Sequence, residues 1–112
     1  MKRRTAMHAT KRKRVEAAGW RVGSVQEFLG LTDREVILID MRLALAAAVR
    51  SRRARRGLTQ LELARSLKSS QSRIAKMEAG EAGVSFDLMI LALLGLGATP
   101  RGIGRILSAR AA

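Results

Sequence analysis

The sequence predicts an all-α fold. Its hydrophobic fraction of 47% consists almost wholly of Leu, Ala, Val, Ile and Met, with aromatics at 3% and no Tyr. Ala, Leu and Arg are strong helix formers. No stretch shows the period-two alternation that marks a half-buried strand. A chain of 112 residues holds one compact domain with a modest core, plus a tail. The absence of Cys excludes a disulfide framework, a thiolate zinc site and a thiol nucleophile.

In chain order, residues 1–23 form a basic N-terminal extension, weakly patterned to about Trp20 and expected to be mobile when unbound, although "KRKRVEAAG" has the makings of a short helix. His8, set among basic residues there, reads as a solvated side chain and not as a metal ligand or base. The helical domain covers 24–112. "SVQEFLG" places Ser24 and Glu27 at capping-box spacing, with Gly30 as a stop. Thr32 and Glu35 repeat the device and open a long helix that need not break until Gly57. Thr59 and Glu62 make a third box, and Gly80 closes the helix that follows the next break. Ser85 caps "FDLMILALLGLG", and Thr99-Pro100 is a cap followed by proline at the first helical position. The last helix contains Gly102 and Gly104 and is expected to be the least stable. The result is five main helices with a short one ahead of them.

Lys and Arg number 22 against 9 Asp and Glu, a net charge of +13 that predicts attraction to nucleic acid or an anionic membrane surface. A basic cluster precedes the first acidic residue, Glu16, and a second runs from Arg50 to Arg56. A membrane span is excluded: "VILIDMRLALAAAV" is interrupted by Asp40 and Arg42, and "LMILALLGLGA" is too short. No apolar core follows the N-terminal basic residues, so there is no secretory signal and the cytoplasm is expected.

"TQLELARSLKSSQSRIAKMEAG" carries helix signals on both sides of an interrupted middle. Leu63, Ala64 and Leu67 share one face, and Ile74 and Met77 resume it beyond Lys68, Ser69 and Ser70. Two short helices joined by a tight turn make a helix-turn-helix. With Ile74 turned inward, Ser72 and Lys76 point toward solvent, while Ser70 and Gln71 lie at the N-terminal tip that such motifs insert into the major groove.

The stretch "GLTQLELARSLKSSQSRIAKMEAG" resembles the helix-turn-helix of the phage repressor and Cro family, the xenobiotic-response-element type of bacterial regulator. The matching features are Gly57, Thr59-Gln60, Leu63-Ala64, the Ser-rich turn, Ile74 and the "MEAG" ending, and the resemblance covers roughly residues 40–108. It implies a five-helix repressor-like DNA-binding domain in which Gln60 bonds a DNA phosphate. Ser70, Gln71, Ser72 and Lys76 would face base edges, with Arg73 close to the backbone. Arg53 would pair with Glu78 and tie the first helix of that domain to the recognition helix, which makes Glu78 structural. One departure is Lys68, where the family usually has Gly. A positive φ there costs a residue with a Cβ about 1 kcal/mol.

The preceding stretch, from Gly19 to Ala46, is similar to the N-terminal extension of antitoxin-like members of this family, including those paired with ribosome-dependent ribonuclease toxins and repressing their own operon. On the residues alone, the long helix is apolar nearly all round through Val36, Ile37, Leu38, Ile39, Met41, Leu43 and Leu45, and must be buried on more than one side. Trp20, Phe28, Leu29 and Leu31 are candidates to cover it, and a second subunit or a toxin is the alternative.

Catalytic readings fail. "GLGATPRGIG" has neither dinucleotide nor P-loop spacing, no serine-histidine-acid set is available, and no metal or cofactor is expected. Three functions remain. The first is a sequence-specific double-stranded DNA-binding regulator, most simply a dimeric repressor associated with the bacterial nucleoid. The second is an antitoxin that sequesters a toxin and represses its own operon. The third is a general nucleic-acid or ribosome-associated basic protein, which an ordered helix-turn-helix argues against because nonspecific binding needs only charge.

Overall fold

The computed structural model describes residues 22–111. Among the described residues there are six helices and no strand: α1 (Val22–Leu29), α2 (Asp33–Arg55), α3 (Gln60–Ser66), α4 (Gln71–Glu78), α5 (Phe86–Gly95) and α6 (Pro100–Ala111). The helix expected in "KRKRVEAAG", the mobility expected of the extension, and the side chains of His8 and Trp20 lie outside the described residues. No described helix is long and apolar enough to cross a membrane.

Most helix starts follow from the capping residues. Glu35 N–H donates to Thr32 Oγ1 at 3.1 Å, and Thr32 N–H donates to Glu35 Oε1 at 2.8 Å. Thr59 and Glu62 exchange the same pair of bonds at 3.0 and 2.8 Å. The Thr32 and Thr59 backbone N–H groups, with their hydroxyls, hold the Glu35 and Glu62 carboxyls below the ordinary value of 4.5. Each box therefore stabilises the fold above the unfolded-state carboxylate range, and that contribution is lost as pH falls through the lowered folded-state value. Ser85 accepts from Leu88 N–H at 3.1 Å and Thr99 from Gly102 N–H at 3.0 Å, so both cap as expected. One start differs. Ser24 is already helical within α1 (Val22–Leu29), and a helical backbone cannot adopt the extended conformation of an N-cap.

Two compact units divide the described residues, one running through Met41 and resuming at Ser108, the other being Arg42–Leu107. In the first, Gln26 fastens α1 to the start of α2: its Nε2 donates to Leu31 O at 3.2 Å and to Asp33 Oδ1 at 2.8 Å. This polar tether sets the connection, and Phe28 and Leu29 remain 77% and 58% exposed. Ile37, Leu38 and Ile39 are exposed as well, while Val36 and Asp40 are buried.

The second unit holds the core. Leu45 and Val49 of α2, Leu63 and Ala64 of α3, Ile74 and Met77 of α4, Met89 and Leu93 of α5, and Ile103 of α6 form one buried cluster, with Leu67 packed on its edge. Each large aliphatic side chain removed from water here contributes roughly 1.5–3 kcal/mol. Ala64 is fully buried, so α3 and α4 approach closely where a larger side chain would hold them apart.

The break between α3 and α4 has a defined geometry. Ser69 N–H donates to Ala64 O at 2.8 Å and Lys68 N–H to Arg65 O at 3.2 Å, the two-bond closure of a Schellman motif. Lys68 supplies the left-handed residue at φ 55, so the turn keeps the shape that Gly usually provides, at the cost of a crowded Cβ. At the far end of α4 the same closure uses Gly80, at φ 75. A Cβ on Gly80 would also lie 2.7 Å from Leu43 Cδ2 of α2.

Opposite substitutions at these two turns should therefore have opposite signs. Lys68→Gly should stabilise by about 0.5–1 kcal/mol, the relief of the left-handed Cβ exceeding the added freedom of the unfolded chain. Gly80→Ala should destabilise. Equilibrium urea unfolding reads both, and a destabilised Lys68→Gly variant would contradict the strain assigned to that turn.

Candidate nucleic-acid interface

α4 is an eight-residue helix whose inward face is Ile74, Met77 and Glu78. That burial fixes the rotation of the helix about its axis and leaves Gln71, Ser72, Arg73 and Lys76 exposed. The N-cap, Ser70, accepts from Arg73 N–H at 3.1 Å, so its oxygen is engaged locally while its O–H stays available as a donor. No acidic residue lies in the first turn, and the positive end of the helix dipole adds to the charge of Arg73. Beside the helix opens a cleft of about 220 Å³, with Ser70, Ser72, Arg73 and Lys76 on one wall and Glu81, Gly83 and Val84 on the other. Such a lining offers hydroxyl and cationic donors on one wall and an acidic residue, Glu81, on the other.

A buried carboxylate holds α4 in place. The Glu78 side chain is 3% exposed. Arg53 of α2 grips it with both edges of the guanidinium, Nε donating to Oε2 at 2.5 Å and Nη2 to Oε1 at 2.9 Å. This contact holds the Arg53 guanidinium protonated further above its ordinary range. Arg53 Nη1 also donates to Leu58 O at 2.8 Å, closing the α2–α3 turn. Gln60, at the start of α3, donates from Nε2 to Glu78 Oε1 at 3.1 Å. The carboxylate thus joins α2, α3 and α4, and its acceptor sites are met by charged or amide donors as a buried anion requires.

Arg42 was not among the residues singled out by sequence. Its guanidinium donates to the carbonyl of Val84, lies 3.5 Å from Glu81 O and stacks 4.9 Å above the centre of the Phe86 ring. It pins the segment after α4 to α2, and that segment is the second wall of the cleft. The signal was an arginine inside an otherwise apolar run, which served above only to exclude a membrane span.

Of the residues suggested by the resemblance, Ser70, Ser72, Arg73 and Lys76 converge on the cleft, and Gln71 stands exposed at the first position of α4 outside its lining. Gln60 is half-buried, with its amide directed to Glu78. No group of metal-ligating side chains occurs among the described residues.

A family model described as helix-turn-helix matches residues 49–103. No curated protein and no solved structure matches the chain.

Breaking the Arg53–Glu78 pair from either side should cost about 3–5 kcal/mol, because the surviving charge is left buried without its partner. The double variant should cost clearly less than the sum of Arg53→Ala and Glu78→Ala. Denaturant midpoints of the four proteins measure this coupling, and additive losses would mean that the two side chains do not act as a unit.

Proposed function

We propose that the protein is a sequence-specific repressor that inserts α4 into the major groove, since residues 49–103 match the helix-turn-helix family of phage repressor and Cro type, whose members are DNA-binding regulators of transcription. The observation that carries this reading is the outward face of α4, where Gln71, Ser72 and Lys76 stand clear of the core on a helix whose rotation is fixed by Glu78. An exposed N-terminal tip bearing an amide, a hydroxyl and an ammonium group has the donors that base edges accept. Arg73 and Ser70 flank that tip and serve the sugar-phosphate backbone. Gln60 joins them: one hydrogen of its amide goes to Glu78, and the second is free for a phosphate oxygen.

A single recognition helix reads few base pairs, so the bound form is a homodimer on a pseudo-palindrome, with half-site centres about 34 Å apart or a multiple of that. A second reading draws on a different observation, the exposure of Phe28, Leu29, Ile37, Leu38 and Ile39. An exposed aliphatic row such as Ile37, Leu38 and Ile39 suits a protein partner, and in an antitoxin that partner is a ribonuclease toxin encoded beside it.

Gln71→Ala and Lys76→Ala should each lose roughly 1–3 kcal/mol of discrimination at particular base pairs. Selection from a random duplex library measures this, and an unchanged preferred sequence in Gln71→Ala would remove α4 as the reading helix. Light scattering on the protein–duplex complex at saturation should give two chains per duplex, and a strict monomer would rule out the dimeric reading. The same measurement with the product of the neighbouring reading frame decides the antitoxin reading, which requires a complex lost in Leu38→Ser.

A further inference from the structure

Most of the positive charge lies away from α4. Between Asp40 and Glu62 the sequence has six arginines and no acidic residue, and after Asp87 it has three arginines and again no acidic residue. Folding brings these two segments together. A Cβ on Gly102, in the first turn of α6, would lie 4.0 Å from Arg52 Nη2 and 3.9 Å from Arg105 Nη2, so those two nitrogens are at most about 8 Å apart. Arg56, one helical turn beyond Arg52, reaches the α5–α6 turn, where its Nη1 lies 3.4 Å from the Cβ position of Gly97. None of the three meets a carboxylate, since the one ion pair among the described residues is Arg53–Glu78.

Like charges gathered in this way oppose folding unless a polyanion meets them. The position of the strip identifies the polyanion. Arg56 precedes Gln60 by four residues, a span of at most about 14 Å along the chain. A strand held by Gln60 therefore passes Arg56 within about four nucleotide steps. Arg52, in the last turn of α2, precedes Arg56 by four residues, and Arg105 lies beside it. Neighbouring guanidinium groups with no carboxylate paired to them suit repeated phosphates and carry no information about base sequence.

We propose that Arg56, Arg52 and Arg105 form a track for the phosphates of DNA flanking the base pairs read by α4, an inference that rests on the DNA-binding role of α4. The track adds affinity and salt dependence without adding sequence preference.

The experiment uses the full chain and a duplex selected from a random library. One form is trimmed to the selected base pairs, and the other is extended at each end by about one helical turn, roughly 10 base pairs. The wild type should bind the extended form at least about tenfold more tightly. Arg52→Gln/Arg105→Gln and Arg56→Gln should erase that advantage and flatten the salt dependence by about one counterion per arginine removed. The selected sequence should stay as in the wild type, and the thermal midpoint of the free protein should not fall. Arg52→Lys/Arg105→Lys should retain the salt dependence, because a phosphate accepts any nearby point charge.

Equal wild-type affinity for the two duplexes, or an unchanged salt dependence in the glutamine variants, would overturn the track. If Lys76→Ala still altered base preference in that case, DNA reading by α4 would stand while the track fell. A wild type with no preference among duplexes would remove both. Variants that lost binding to single-stranded RNA but not to the duplex would assign the surface to RNA and overturn the proposal.

Discussion

The carboxylate of Glu78 is the constraint on which the rest of the helix-turn-helix depends. It lies among apolar side chains, where an unmatched charge would be costly, and three donors from two other helices meet it. An apolar cluster of equal volume would fill the same space at least as stably. It would not fix direction. Bidentate pairing with Arg53 sets the angle of α4 against α2, and the amide of Gln60 sets the start of α3 against both. The outward face of α4 is therefore decided on its inward face. Any site built from Gln71, Ser72 and Lys76 inherits its precision from a residue that touches no ligand.

The ends of α4 are held by a different device. A left-handed residue stands shortly before it and another just after it, Lys68 and Gly80, each closing a preceding helix with the same pair of backbone bonds. Two sharp reversals bound this short helix, whose inward face stays in the core while its outward face is exposed. Gly80 is required twice over, by its φ and by its approach to Leu43. Lys68 meets only the first requirement and carries the strain of a Cβ in return for a cation at the turn. Past Gly80, Arg42 takes hold of the chain through Val84 and Phe86, so that the far wall of the cleft is anchored to α2 as the near wall is.

From residue 22 onward, charge divides the sequence into an acidic and a basic stretch. From residue 22 to residue 41 there are four acidic residues and one arginine, whereas from Arg42 onward there are thirteen basic residues and four acidic ones. Of the exposed large apolar side chains, Leu61, Leu91 and Leu94 belong to the basic stretch, and Phe28, Leu29, Ile37, Leu38 and Ile39 to the acidic one. A phosphate backbone would be repelled there, while a protein surface with an apolar centre and basic edges would be attracted.

What the sequence determined by itself was local. Thr32, Thr59, Ser85 and Thr99 announced their helices because a cap, its partner three residues on, and the helix between them are contiguous. The inward set Leu63, Ala64, Ile74 and Met77 was legible for the same reason, since a period of 3.6 is a property of neighbours. Ser24 misled because capping spacing alone does not show whether the preceding residues are already helical. The pairing of Arg53 with Glu78 came from family resemblance, because nothing local joins residues 25 apart. Tertiary structure alone decided the remainder. The grip of Arg42 on Val84, the turn of the Gln60 amide toward Glu78, the exposure of Phe28 and the meeting of Arg52 with Arg105 each depend on where separate helices come to rest. Those positions are set by packing the whole core, and no window of sequence contains that information.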